Sequence, residues 1–129
     1  MKIIDKAFEA RNNAYAPYSK YKVGACVETK DGRFYTGANV ENASYGLTNC
    51  AERSAIFSAY SDGCRRDNIK AIAIVAKSEK LISPCGACRQ VLSELIPKDA
   101  EIILSNGEET VITDIESLMP MTFGADNIK

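Results

Sequence analysis

The chain contains no histidine and no tryptophan among its 129 residues. Histidine is the usual companion of cysteine around tetrahedral zinc, so a zinc site here needs a different ligand set. No apolar run approaches the roughly 20 residues that span a bilayer. A strong charge of either sign is also missing: 16 basic and 17 acidic residues leave a net charge of −1, which argues against wrapping a long nucleic acid. Linkers, low-complexity tracts and internal repeats are absent, so residues 1–129 read as one domain with a real core. The opening "MKIIDKAFEARNNAY" carries charges throughout and does not read as a signal peptide, so the expectation is a soluble, cytoplasmic protein.

Cysteine is present five times. An odd count in a reducing compartment argues against a disulfide framework, which leaves metal ligands, nucleophiles and small core residues. The first segment, residues 3–15, puts Ile4, Ala7, Phe8 and Arg11 at helical spacing and breaks at Pro17. "YKVGACVET" and "FYTGANV" read as strands joined at Asp31-Gly32, a strong hairpin signal. "CAERSAIFSAY" reads as a helix with Ala51, Ala55, Ile56 and Ala59 on one side. "IKAIAIVA" is apolar throughout, as a central strand buried on both faces should be. "SPCGACRQVLSEL" is a helix with Pro84 near its start. "EIILSN" and "TVITD" are separated too briefly for a parallel crossover, so they form an antiparallel pair, and "IESLMP" is a short final helix or turn. The order α-β-β-α-β-α-β-β predicts an α/β fold: three layers, α/β/α, around a single mixed sheet of about five strands.

The chemistry concentrates in two helix starts. "TNCAERSA" places Cys50 at the beginning of one helix with Glu52 two residues on, and Cys85 and Cys88 begin another. Backbone N–H groups and the positive end of the helix dipole stabilise thiolates at such positions. Cys50, Cys85 and Cys88 offer three zinc ligands and leave the fourth position to water, the arrangement of a catalytic zinc. Three thiolates give the ion a net negative charge, which a neighbouring cation would offset; Arg53 is favoured over Arg89 to donate to a ligand sulfur. Residues two apart on a helix point to nearly opposite sides, so Cys50 must lie at or before the first turn if Glu52 also faces the metal. The pattern H-x-E…P-C-x-x-C, with cysteine admitted in place of histidine and the glutamate acting as acid and base, belongs to zinc deaminases.

Over most of its length the sequence resembles the cytidine deaminases of the small, homotetrameric class, on "AYAPYSKYKVGA", "GANVENASYGLTNCAERSAIF", "SPCGACRQV" and "LMP..F". The resemblance implies the same sheet and a zinc-dependent hydrolytic deamination of cytidine and deoxycytidine in pyrimidine salvage. It implies that Cys50, Cys85 and Cys88 hold one zinc per subunit and that Glu52 is the proton shuttle. Asn39 and Glu41 would grip the ribose hydroxyls, the N–H of Ala51 the 2-oxygen of the base, and the carbonyl of Ser83 its 4-amino group. Tyr21 falls where the family commonly has a phenylalanine against the base. Phe123 resembles the aromatic that a neighbouring subunit lends to the pocket, and Tyr45 lies in the segment that joins subunits, so the implied partner is a homotetramer with shared pockets. Polynucleotide deaminases of the wider superfamily place a helix between the last two strands; here there is no room for one, which favours a free nucleoside.

Other readings compete. C-x-x-C between a buried strand and a helix is also a thioredoxin-like redox context, although no tryptophan accompanies it. A closed structural zinc would take Cys26 or Cys64 as a fourth ligand. On local sequence Cys26 reads as a small core residue, and Cys64, in "DGCRRD", as an ordinary surface thiol. Glu52, Asn39, Glu41 and the arginines could each be ordinary polar positions, and Tyr21 and Phe123 ordinary packing aromatics. A deaminase of a cytosine-containing antibiotic shares both zinc motifs, and "NVENASY" speaks for the nucleoside.

Overall fold

A computed structural model describes residues 1–79, 81 and 84–119. Ser83 and Phe123 lie outside these residues. The elements are α1 (Lys2–Arg11), β1 (Gly24–Thr29), β2 (Phe34–Ala38), α2 (Ala51–Ser61), β3 (Ile69–Val75), α3 (Gly86–Leu95), β4 (Glu101–Ser105), β5 (Thr110–Thr113) and α4 (Ile115–Leu118), with 3₁₀ turns at Tyr45–Leu47 and Arg66–Asn68. They build one five-stranded sheet in the order β2-β1-β3-β4-β5. β3 and β4 are parallel; β1–β2, β1–β3 and β4–β5 are antiparallel, as expected for the last pair.

β3 is the middle strand, and only Lys70 in it is exposed. Its alternate side chains feed two cores. Ile72 and Ile74 join Ala55, Ile56, Leu92 and Ile96 beneath α2 and α3, while Ala71, Ala73 and Val75 join Ile3, Ala7 and Cys26 beneath α1. That division explains the unbroken apolar run and gives the three layers. Cys26 is a core residue, as its strand suggests, and burial pushes its thiol up to about 11.

The first helix stops at Arg11, four residues before the expected end at residue 15. The backbone of Tyr15 is committed elsewhere: its N–H donates to Asn39 O (2.9 Å) and its carbonyl accepts from Glu41 N–H (2.8 Å). The buried face is Ile3, Ala7 and Ala10, whereas Arg11 sends Nε to the carbonyl of Lys22 (3.2 Å). In the Asp31-Gly32 hairpin, Thr29 N–H donates to Arg33 O (2.9 Å), and Gly32 takes the left-handed φ of +89° that the turn requires.

Register sets where the site forms. Gly24 pairs with Ala38 on one side and Val75 on the other, so β2 and β3 end at the same edge of the sheet. The chain leaving β2 enters α2, and the chain leaving β3 enters α3; the positive ends of both helices therefore face that edge. Gly37 lets α2 settle there, because a Cβ at this position would lie 2.5 Å from Ala55 N and 2.6 Å from Ala51 O.

Candidate metal centre and active site

Cys50 is the N-cap of α2, in extended conformation (φ −76°, ψ 153°). It therefore lies before the first turn, the position that lets Cys50 and Glu52 face one site despite their spacing. A two-stranded link brings it in: Val40 and Asn49 exchange backbone hydrogen bonds, each 2.9 Å, immediately before Cys50. Cys85 is likewise the N-cap of α3, and its sulfur accepts from Cys88 N–H (3.5 Å). Arg89 braces this start, donating from Nε to Pro84 O (2.8 Å) and from Nη1 to Leu118 O (2.6 Å).

The three sulfurs converge: Cys50 to Cys85 is 3.9 Å, Cys85 to Cys88 is 3.2 Å, and all ligand atoms lie within 4.8 Å of one another. Thiolates on a tetrahedral zinc, with Zn–S of about 2.3 Å, sit about 3.8 Å apart. The donor set and its spacing thus fit zinc. Neither Cys26 nor Cys64 joins the cluster, and all five cysteines are free thiols. Cys88 is buried, Cys50 half-buried and Cys85 exposed, so the site opens outward on the Cys85 side.

Electrostatics suit a metal-binding cluster. The Cys50 thiol is held down at about 5, first by the hydrogen bond from Cys88 and then by Arg53, whose Nη2 donates to its sulfur (3.3 Å). The Cys88 thiol is pushed up, first by its interaction with Cys50 and then by burial. Arg53 also reaches Thr48 O (3.4 Å), and its Nε is buried without a hydrogen-bond partner among the described residues. Arg53 thus donates to the sulfur of Cys50, while Arg89 donates to the backbone carbonyls of Pro84 and Leu118.

Glu52 is only 5% exposed. Burial raises its carboxyl above the ordinary range, against the opposing pull of its own backbone N–H and the Cys88 thiol. A buried carboxyl whose hold on its proton is strengthened, beside a three-thiol cluster, can both accept and deliver a proton. Ala51, fully buried, is the first residue of α2, where a backbone N–H has no partner within the helix.

Asn39 and Glu41 are buried polar residues whose bonding the sequence did not reveal. Asn39 Oδ1 accepts from Val23 N–H (2.9 Å), and Nδ2 donates to Tyr21 O (2.8 Å). Glu41 Oε1 accepts from the N–H groups of Tyr18 (3.0 Å) and Ser19 (3.1 Å), and Oε2 accepts from the Ser19 hydroxyl. The hydroxyl and N–H of Ser19, followed by the Tyr18 N–H, hold the Glu41 carboxyl below its usual range. Tyr21 is partly exposed on the loop so held. Tyr45 opens the 3₁₀ turn two residues before Leu47. Cys64 corrects an expectation: it is 1% exposed and belongs to the core beneath α2, because Arg33 and Tyr35 from the β1–β2 hairpin close over it.

A three-thiol cluster with a buried glutamate, mounted on two helix starts at one edge of a mixed sheet, defines a zinc-dependent deaminase site. The family model for the cytidine and deoxycytidylate deaminase zinc-binding region matches residues 1–104, and the chain belongs to that family. It is 52% identical to a cytidine deaminase of Halalkalibacterium halodurans over 128 residues, covering 98% of this chain and 95% of the relative. The crystal structure of cytidine deaminase from Burkholderia pseudomallei superimposes with a TM-score of 0.92 at 49% identity, covering 95% of this chain and 97% of that one. A blasticidin-S deaminase of Bacillus cereus is 32% identical over 130 residues, covering 95% and 91%.

Proposed function

We propose that the protein is a hydrolase that converts cytidine, and deoxycytidine, to uridine or deoxyuridine and ammonia, as a step of pyrimidine salvage. The observation that carries this reading is the convergence of Cys50, Cys85 and Cys88 beside the buried carboxyl of Glu52. Zinc held by the three sulfurs supplies a Lewis acid and an acidified water. Glu52 would take one proton from the attacking water and deliver it to N3 of the base, then take the second from the new C4 hydroxyl and hand it to the departing amino nitrogen, so that the C4 carbonyl forms as ammonia leaves. Arg53 draws charge from the Cys50 sulfur, which offsets the excess of three thiolates. The Ala51 N–H, at the positive end of α2, would donate to the 2-oxygen of the base, and the Ser83 carbonyl would accept from its amino group. The Tyr21 ring would lie against the base.

Counting hydrogen-bond capacity supports the sugar contacts. Asn39 Nδ2 spends one of its two protons on Tyr21 O, and Glu41 Oε2 accepts only from Ser19 among the described residues. One donor and one acceptor remain, and a single sugar hydroxyl can satisfy both. Both groups lie on the segment that pairs with Asn49, directly before Cys50. "NVENASY" and the higher identity to cytidine deaminase than to blasticidin-S deaminase favour the nucleoside.

The chain acts as the single domain of residues 1–129, in the cytoplasm, on a free nucleoside rather than a polymer. Among the described residues no helix is long and apolar enough to cross a membrane. A homotetramer belongs to the same reading: Leu47 is 73% exposed, and the paired Val40 and Tyr15 are exposed too, in the segments bordering the site. Tyr45 would lie in such a contact and Phe123 would reach a neighbouring pocket. The test is the fall in ultraviolet absorbance on adding protein to cytidine, with adenosine and zinc-stripped protein in parallel. Loss of the cytidine signal that disappears on stripping and returns with zinc is expected. No change on either cytosine nucleoside, in protein holding one zinc per chain, would move the substrate to another amino-heterocycle such as the antibiotic.

A further inference from the structure

The loop between α1 and β1 carries Tyr21, and within it the Lys20 N–H donates to Ala16 O (3.0 Å). Lys20 sits in the left-handed region at φ +63°, a conformation disfavoured for a residue with a Cβ. Such a backbone persists only where contacts on both sides impose it. On the N-terminal side the Lys20 N–H is held by Ala16 O; the contacts to Glu41 and Tyr21 run through one hydroxyl. Ser19 Oγ donates to Glu41 Oε2 and accepts from Tyr21 N–H (3.0 Å), closing a turn around Lys20. The Ser19 N–H donates to the other oxygen of the same carboxylate (3.1 Å). On the far side of Tyr21, its carbonyl is held by Asn39 Nδ2 (2.8 Å). Both peptide groups of Tyr21 are therefore tied, directly or through Ser19, to the two side chains assigned to the sugar.

We propose that Ser19 is a positioning residue: its hydroxyl links Glu41 to the backbone of Tyr21, so that the sugar-binding carboxylate and the base-facing ring are set as one unit. Ser19 does not touch the reacting atoms. It fixes the rotamer of Glu41 through Oε2, leaving the remaining acceptor capacity of that oxygen pointed at the sugar, and it fixes the turn that presents Tyr21. Loosening it should weaken substrate binding while sparing the chemical step at Glu52, since α2 and the cysteine cluster make no hydrogen bond to this loop among the described residues.

This inference rests on the nucleoside reading above, and its test separates the two. The zinc-loaded full chain is compared with Ser19→Ala and Ser19→Thr by steady-state kinetics on cytidine and by hydrogen exchange of the Tyr21 amide without substrate. Ser19→Ala should raise KM about 10-fold, with kcat changed less than about 3-fold, and speed Tyr21 exchange about 10-fold, the scale of one hydrogen bond to a charged group. Ser19→Thr, which keeps the hydroxyl, should restore both. If Ser19→Ala is not recovered folded, Ser19→Cys serves, with the same split expected in smaller measure. Unchanged KM and exchange would overturn the proposal, and so would a parallel loss of kcat and zinc that threonine fails to restore. A folded, zinc-loaded protein that leaves cytidine untouched would refute the substrate reading, while the Tyr21 exchange still decides for or against Ser19.

Discussion

Helix α2 has an arginine–cysteine pair at each end, and the two ends do different things. At its start, Arg53 Nη2 lies 3.3 Å from Cys50 Sγ; just past its end, Arg33 Nη2 lies 3.5 Å from Cys64 Sγ. The contacts are alike, so the contact does not decide the outcome. The surroundings do. Cys50 sits at the positive end of the helix, with two further sulfurs in reach and an arginine bonded to its sulfur. Cys64 lies buried past the other end of the helix with no further sulfur of the cluster in reach, and Arg33 is already engaged by Asp31 (3.1 Å), by Asp62 (3.4 Å) and by the Tyr35 hydroxyl (2.8 Å). Tyr35 in turn donates to Asp62, and that bond holds its hydroxyl protonated well above the usual tyrosine range. One end is built to bind an ion; the other fastens the β1–β2 hairpin to the helix.

The largest effect should come from the working end. Glu52→Gln is expected to retain one zinc and to lose about 10²–10⁴-fold in kcat; initial rates and metal analysis of the same preparation check it, and a rapid Glu52→Gln enzyme would remove Glu52 from its role. Gly37→Ala should destabilise the fold by about 1–3 kcal/mol, the usual cost of forcing a methyl into packed backbone. Its urea midpoint would fall, and zinc retention should fall with it, because the added Cβ presses on the backbone of α2 at Ala51 and Ala55.

Smaller effects sharpen the contrast between the two arginines. In zinc-stripped protein the depressed thiol makes Cys50 a reactive thiolate above about pH 5 and an inert thiol below it. Arg53→Gln removes part of that depression, leaving the bond from Cys88, so alkylation of Cys50 at pH 6 should slow several-fold. Arg33→Gln should leave that rate unchanged. Equal slowing by both would mean that overall charge, and not the local contact, sets Cys50. The smallest effect is expected from Cys64→Ala: about 1 kcal/mol lost from a buried thiol in thermal or urea melts, with zinc content and kcat unaltered.

Local chemistry wrote much of this into the sequence. The interval between Cys50 and Glu52 put Cys50 at or before the first turn if both face the metal, and "PCGAC" placed its pair at a second helix start. The apolar run of β3 declared its central position, and Asp31-Gly32 its hairpin. What the sequence concealed depends on partners far along the chain. "DGCRRD" reads as surface because its neighbours are polar; Cys64 is buried by Arg33 and Tyr35, about thirty residues earlier. Asn39 and Glu41 look like turn residues with free polar groups until the loop at residues 18–23 folds onto them. Helix α1 ends early because Tyr15 pairs with Val40, a contact with no local signal.

The most direct measurement is the zinc content of five single variants, each cysteine changed in turn to serine. Cys50→Ser, Cys85→Ser and Cys88→Ser should each lose most of the metal after exposure to a chelator, whereas Cys26→Ser and Cys64→Ser should keep one zinc per chain. Zinc retained in full by any of the first three, or lost with Cys64, would contradict a centre built from the two helix starts.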